Sequence, residues 1–79
     1  MTPDREVDAR GLICPLPVLR ARKVLMGMRP GEVLRVLATD PMAAIDLPHF
    51  CVEAGHEHLG QSVDDGAQAH LIRRGSRTE

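Results

Sequence analysis

Two prolines, Pro15 and Pro17, decide where the first helix of this chain can begin. Proline has no backbone N–H and clashes with the preceding helical turn, so it disrupts a helix interior but fits the first turn. A stretch with strand character, residues 5–8, precedes the prolines, and residues 15–28 have a helical pattern. We therefore expect a strand, a turn and a helix in succession, with Cys14 at or next to the N-cap of the helix.

The predicted helix has one continuous apolar face. This face is formed by Val18, Ala21, Val24, Leu25 and Met28. Three other apolar residues fall outside it, among basic residues: Leu16, Leu19 and Met26. They either belong to a docking surface or pack partly beneath loops.

The middle of the chain contains the clearest strand. Residues 32–39 are apolar on both faces, which predicts a strand in the interior of a sheet. Residues 41–46 predict a loose turn, because Pro48 favours a second helix that begins only at Leu47 or Pro48.

A hairpin is predicted after the second helix, which Gly55 ends. Asp65-Gly66 is a strong turn signal between two strands, residues 56–64 and 67–73. The polar residues 75–79 predict a frayed tail.

The resulting order is β-α-β-α-β-β, which predicts an α/β (α+β) two-layer sandwich. The β-α-β unit makes the first two strands parallel with a right-handed crossover, and the hairpin adds antiparallel pairing. In so short a chain, two helices cover a mixed four-stranded sheet best from one face. Residues 1–79 therefore predict one domain, with its core at about residues 6–75.

Composition limits the classes of function. The chain has 79 residues, one aromatic residue (Phe50) and a net charge of −1, so it offers little for base stacking or phosphate attraction. No apolar run approaches the roughly 20 residues that span a bilayer, and the polar residues 1–8 do not resemble a secretory signal. Two cysteines are too few for the disulfide framework of a small secreted domain. We expect a cytoplasmic monomer without direct nucleic-acid or membrane partners.

Cys14 is the candidate reactive residue. The positive end of the following helix favours its thiolate. Four basic residues nearby in sequence act in the same direction: Arg10, Arg20, Arg22 and Lys23. Position 17 is proline, so the Cys-X-X-Cys pattern of disulfide reductases is absent, and no histidine lies near Cys14 in sequence to support acyl transfer. A single thiol of this kind suits a residue that receives a group and passes it on.

Asp40 is expected at the same sheet edge as Cys14, since parallel strands end at one edge. One interpretation is that Asp40 caps the following segment. The other is that its charge orients a partner or acts on the thiol, where a nearby carboxylate would raise the thiol pKa against the helix dipole. The net direction stays open at this point.

Cys51 lies within the second predicted helix, where a small core residue is expected. Two alternatives are a thiol that resolves a disulfide with Cys14, and a metal ligand together with His49, His56 and His58. The spacing of these residues fits no zinc template, so we expect no metal site.

Residues 8–17, which end in Cys14-Pro15-Leu16-Pro17, resemble the Cys-Pro-X-Pro signature of the TusA/SirA-like sulfur carrier proteins. Later landmarks also resemble that family, and the resemblance covers about residues 6–75. They are Pro30-Gly31-Glu32, Asp40-Pro41, the segment 46–51 and Gly55-His56.

The resemblance implies a sulfurtransferase that works as a persulfide carrier. Cys14 would accept sulfane sulfur from a PLP-dependent cysteine desulfurase and relay it to a downstream acceptor protein. It also implies that the carrier needs no cofactor of its own, because the PLP belongs to the donor. Destinations in the family include tRNA thiolation, molybdenum cofactor maturation and sulfur oxidation.

The resemblance assigns roles to a small set of residues. Gly11, Pro15 and Pro17 would support the motif around Cys14. Three further residues would contact the partner proteins: Leu16, Arg22 and Asp40. Leu16 departs from members that carry an acidic residue between the two prolines, which affects the choice of partner.

Two other classes of function remain as alternatives. An RNA-binding module would share the β-α-β-α-β-β order, and salt-sensitive RNA binding would reveal it. A redox or metal-linked regulatory protein would require Cys51 or the histidines to act together with Cys14.

Overall fold

Six helices and strands follow one another in the predicted order within residues 2–76, the part of the chain that the computed structural model describes. They are β1 (Arg5–Ala9), α1 (Leu16–Met26), β2 (Val33–Ala38), α2 (Ala43–Ala54), β3 (Glu57–Asp64) and β4 (Ala67–Arg73). No helix among these residues is long and apolar enough to cross a membrane.

The four strands form one mixed sheet in the order β1-β2-β4-β3. β1 pairs parallel to β2, with Val7 opposite Val36, and β4 pairs antiparallel to both β2 and β3. Strand β2 therefore lies in the interior of the sheet, as predicted, and its inward residues Leu34, Val36 and Ala38 are fully buried.

The core lies between the sheet and the two helices, which share one face of the sheet as predicted. From the sheet, the residues at most 1% exposed are Ala9, Leu34, Val36, Ala38, His70 and Ile72. From the helices they are Ala21, Leu25, Leu47 and Cys51. Cys51 is thus a core residue, as predicted.

Helix α1 is shorter than predicted at both ends. Pro15 is its N-cap, so Cys14 precedes the cap, and Gly27 ends the helix. Met28 lies just beyond the helix but is still buried at 6% exposure. The three apolar residues outside the buried face are exposed: Leu16, Leu19 and Met26.

Helix α2 begins at Ala43 and contains Pro48, so the prediction of a loose turn over residues 41–46 was wrong. Asp40 starts the helix: its carbonyl accepts the Ala43 N–H at 2.9 Å, and its carboxylate accepts the Met42 N–H at 3.1 Å. Pro48 is close enough to this start that its missing N–H removes only one early hydrogen bond. Burial of Ala43 and Leu47 stabilises the first turns in spite of it.

The hairpin between β3 and β4 turns at Asp65 and Gly66, as predicted. Both residues have positive φ, 53° and 78°, as a tight two-residue turn with right-handed strand twist requires. At the end of the described chain, the Gly75 N–H donates to His56 Nδ1 at 2.9 Å. Residues 77–79 of the predicted frayed tail lie outside the described residues.

Candidate active site around Cys14

Cys14 lies exposed in the loop between β1 and α1, and Asp40 is the second residue after the end of β2. Because β1 and β2 are parallel, both loops meet at one edge of the sheet. The Cys14 N–H donates to Asp40 Oδ2 over 2.7 Å. The expectation that these two residues come together is confirmed by this contact.

A second hydrogen bond joins the same two loops. The Gly11 N–H donates to Thr39 Oγ1 at 2.9 Å. Gly11 has a φ of 80°, a left-handed conformation that glycine adopts without the steric penalty of a Cβ. The segment 11–14 is therefore held at both ends by the two residues that follow β2, Thr39 and Asp40.

Asp40 caps the following segment, as one interpretation held, and it also holds the Cys14 loop. One carboxylate oxygen accepts the Cys14 N–H, and the other accepts the Met42 N–H at the start of α2. A single side chain thus fixes the reactive loop against the beginning of the second helix.

The pKa of the Cys14 thiol is raised above its ordinary value, which is the direction that the sequence left open. The largest cause is hydrogen bonding of the protonated thiol to the Asp46 carboxylate. Desolvation and the negative charges of Asp46 and Asp40 add to it. At neutral pH the free protein therefore holds Cys14 mainly as the thiol.

The basic residues near Cys14 in sequence do not offset these carboxylates. Arg10 forms a two-pronged pair with Asp8, with Nε and Nη2 each 2.9 Å from a carboxylate oxygen. This hydrogen bonding lowers the pKa of Asp8 to about 2. In addition, Cys14 lies outside the α1 N-cap, where the helix dipole acts less strongly.

Asp46 was missed by the sequence reasoning as a residue that acts on the thiol. It belongs to the first turn of α2, which the sequence pattern assigned to a loose turn because of Pro48. A helix that begins at Ala43 directs this turn towards the Cys14 loop. The signal available was Asp40-Pro41 as a helix start, with an acidic residue in the following turn.

We expect the Asp46→Asn variant to lower the pKa of Cys14. The amide removes the negative charge and the strongest acceptor, so the thiolate becomes easier to form. Alkylation of Cys14 at pH 7.5 should then accelerate roughly threefold to tenfold, since a change of one pKa unit is tenfold in the thiolate fraction. The pH dependence of iodoacetamide labelling measures this shift.

Asp64→Asn is the matched control, because Asp64 lies at the end of β3 in the turn region of the hairpin. It should leave the labelling profile unchanged. A profile that does not move in Asp46→Asn would show that Asp46 has no influence on the thiol.

Of the three residues expected to contact partners, Leu16 and Asp40 lie next to Cys14, whereas no contact among the described residues places Arg22 at the site. Leu16 and Leu19 are 45% and 50% exposed and line a shallow groove with Val7 between α1 and β1. The basic side chains of this groove come from Arg20 and Lys23, whereas Arg22 is exposed but does not line it.

The remaining thiol and histidines are not assembled into a second centre in residues 2–76. Desolvation raises the pKa of Cys51 to about 11, and both cysteines are free. His49 lies 3.5 Å from Glu53 on the α2 surface, and His58 faces His70 instead. No group of three or more potential metal ligands occurs among these described residues.

Comparisons with known proteins agree with the fold. The family model described as Sulfurtransferase TusA matches residues 5–74. A similar solved structure is the crystal structure of the SirA-like protein from Desulfitobacterium hafniense, with a TM-score of 0.79 and 28% sequence identity. The match covers 91% of this chain and 99% of that one.

Proposed function

Because this chain belongs to the TusA sulfurtransferase family, we propose that it carries sulfur as a persulfide on Cys14. The observation that supports this most directly is an exposed, free cysteine on a loop that is held firmly at its base. A carrier must present its sulfur to two different active sites in turn, and an exposed loop does so without deforming the fold.

The transfer is a thiol–persulfide exchange. The Cys14 sulfur attacks the terminal sulfur of a persulfide on the donor, RS–SH, and a new S–S bond forms as the donor S–S bond breaks. The proton lost by the Cys14 thiol is taken up by the thiolate that leaves the donor, so the products are a Cys14 persulfide and RSH. No oxidant or reductant is consumed. In a second exchange, a thiol of the acceptor protein attacks the terminal sulfur of the Cys14 persulfide, and the Cys14 thiol is released.

The carboxylates around Cys14 fit this cycle. They keep the free carrier protonated and hence a weak nucleophile, because the thiolate is the reacting form. A docked partner that places basic groups against Asp40 and Asp46 would lower the pKa of the thiol again. Reactivity would thus rise where the sulfur donor or acceptor is bound.

The proposed donor is a PLP-dependent cysteine desulfurase, and the proposed acceptor belongs to tRNA thiolation, molybdenum cofactor maturation or sulfur oxidation. The carrier itself is proposed to act in the cytoplasm without a cofactor, since the desulfurase supplies the PLP chemistry. Incubation with a desulfurase and cysteine should add one sulfur, about 32 Da, to the peptide containing Cys14, reversibly by reductant. Sulfur found mainly on the Cys51 peptide would overturn the assignment.

Partner docking is proposed to involve Leu16, Arg22 and Asp40. We expect Arg22→Glu to weaken binding to the desulfurase most at low salt, because reversing a rim charge acts through screened electrostatics. Calorimetry at two ionic strengths measures this effect, and thiol alkylation checks that Cys14 itself is unaltered.

Arg29→Glu serves as the matched control, since Arg29 is also exposed but lies beyond the other end of α1. It should reduce binding less than Arg22→Glu does. Unchanged binding in both Arg22→Glu and Leu16→Ala would place the interface elsewhere.

A further inference from the structure

A chain of polar side chains runs beneath the site and has no part in the exchange described above. His58 Nε2 on β3 lies 2.9 Å from His70 Nδ1 on β4, and His70 Nε2 lies 2.7 Å from Gln68 Oε1. Gln68 Nε2 then donates to the main-chain oxygen of Asp40 over 2.9 Å. The chain therefore connects an edge strand of the sheet to the loop that holds Cys14.

The direction of every hydrogen bond in this series of side chains follows from the last acceptor, the main-chain oxygen of Asp40. The Asp40 carbonyl can only accept, so the Gln68 amide nitrogen donates and its oxygen is left to accept. His70 must then carry its proton on Nε2, and its free Nδ1 accepts from His58 Nε2. Burial, with a smaller contribution from His58, lowers the pKa of His70 to about 4, which keeps the ring neutral as this pattern requires.

His70 and Gln68 occupy positions of β4 that pair with apolar residues of β2. His70 is fully buried and pairs in register with Val36, while Gln68 pairs with Ala38. The inward residues of β2 are apolar. Apolar residues at positions 68 and 70 of β4 would avoid the free-energy cost of desolvating two polar side chains. Stability of the core alone therefore does not account for Gln68 and His70, whereas the contact with Asp40 does.

We propose that Gln68 is a positioning residue that fixes the Asp40 loop beneath Cys14, with His70 and His58 holding its amide in the required orientation. The proposal rests on the proposed function in taking Cys14 as the sulfur-accepting thiol. The Gln68 amide donates to the main-chain oxygen of Asp40, and the Asp40 carboxylate accepts the Cys14 N–H. Removal of the first contact loosens the second.

The first test compares Gln68→Met with the wild-type protein. Methionine has similar length but neither donor nor acceptor of comparable strength, so Asp40 loses its contact with β4 and keeps those with Met42 and Ala43. We expect the midpoint of the pH profile of Cys14 alkylation to fall, because a loosened Asp40 carboxylate raises the thiol pKa less. Sulfur acceptance from a desulfurase should slow roughly threefold to tenfold, as expected of a misplaced reacting group.

Gln61→Met is the matched control, since Gln61 is exposed on β3 directly opposite His70. It should leave both the profile and the sulfur acceptance unchanged. If Gln68→Met lowers only the melting temperature, with an unchanged pH profile and unchanged sulfur acceptance, Gln68 is structural and the proposal is overturned.

Gln68→Glu keeps the test decisive if Gln68→Met fails to fold. The carboxylate still accepts from His70 but has no N–H for Asp40. Amide hydrogen exchange at Cys14 should then accelerate at least several-fold, while exchange at Gly31, whose N–H donates to the Arg74 carbonyl, stays constant. Unchanged exchange at Cys14 in this variant contradicts the proposal. A wild-type protein that accepts no sulfur refutes the proposed function instead, and alkylation and exchange still decide the role of Gln68.

Discussion

The Cys14→Ser variant is expected to accept no sulfur at all while keeping its fold. A hydroxyl cannot form the S–S bond that the exchange requires, so the mass gain of one sulfur should disappear completely. The contact that holds the loop uses the backbone N–H of residue 14, which serine retains. The free energy of unfolding should therefore change by no more than about 0.5 kcal/mol.

Intact mass after incubation with a desulfurase and cysteine measures the loss, and thermal unfolding measures the fold. Cys51→Ala is the control that removes the other thiol, and it should still gain one sulfur. A variant Cys14→Ser that unfolds, or that still gains sulfur, would show that Cys14 is structural or that another group carries the sulfur.

The second large effect is the difference in reactivity between the two thiols. We expect Cys51 to react with an alkylating reagent at pH 8 at least roughly 100-fold more slowly than Cys14 in the folded protein. Cys51 is 1% exposed, and its pKa of about 11 leaves little thiolate. The Cys14 pKa is also raised, so burial, which requires local opening before reaction, contributes most of the difference.

Labelling followed by peptide mapping gives both rates. In denaturant the two thiols should react at similar rates, because neither desolvation nor neighbouring carboxylates persist in the unfolded chain. Comparable labelling in the folded protein, or a disulfide between Cys14 and Cys51 on mild oxidation, would favour the redox alternative.

The architecture could be predicted from the sequence because its signals are local and strong. The apolar run of β2 and the Asp65-Gly66 turn each specify one element without reference to the rest of the chain. Pro48 misled the prediction because a proline normally marks a helix boundary. The cap provided by Asp40 and the burial of Leu47 extend α2 past that boundary, and both depend on contacts that sequence spacing does not display.

The site was predictable only in part, for a related reason. The meeting of Cys14 and Asp40 follows from parallel strands, whose carboxyl ends share one edge. The direction of the Cys14 pKa does not follow, because it depends on Asp46 reaching the loop and on Asp8 occupying Arg10. Gln68 lies 28 residues from Asp40 in sequence, so no motif could have linked them.

The strand order has a consequence for a protein that must remain available to several partners. It makes β1 and β3 the edge strands of the sheet, and the unpaired backbone groups of an edge strand can pair with a strand from another molecule. β1 has only five residues, and β3 has a register irregularity between His58 and Gly60. Short or irregular edge strands pair less readily with strands of other molecules. Neither edge of the sheet therefore offers a long, regular template for a strand from a second molecule.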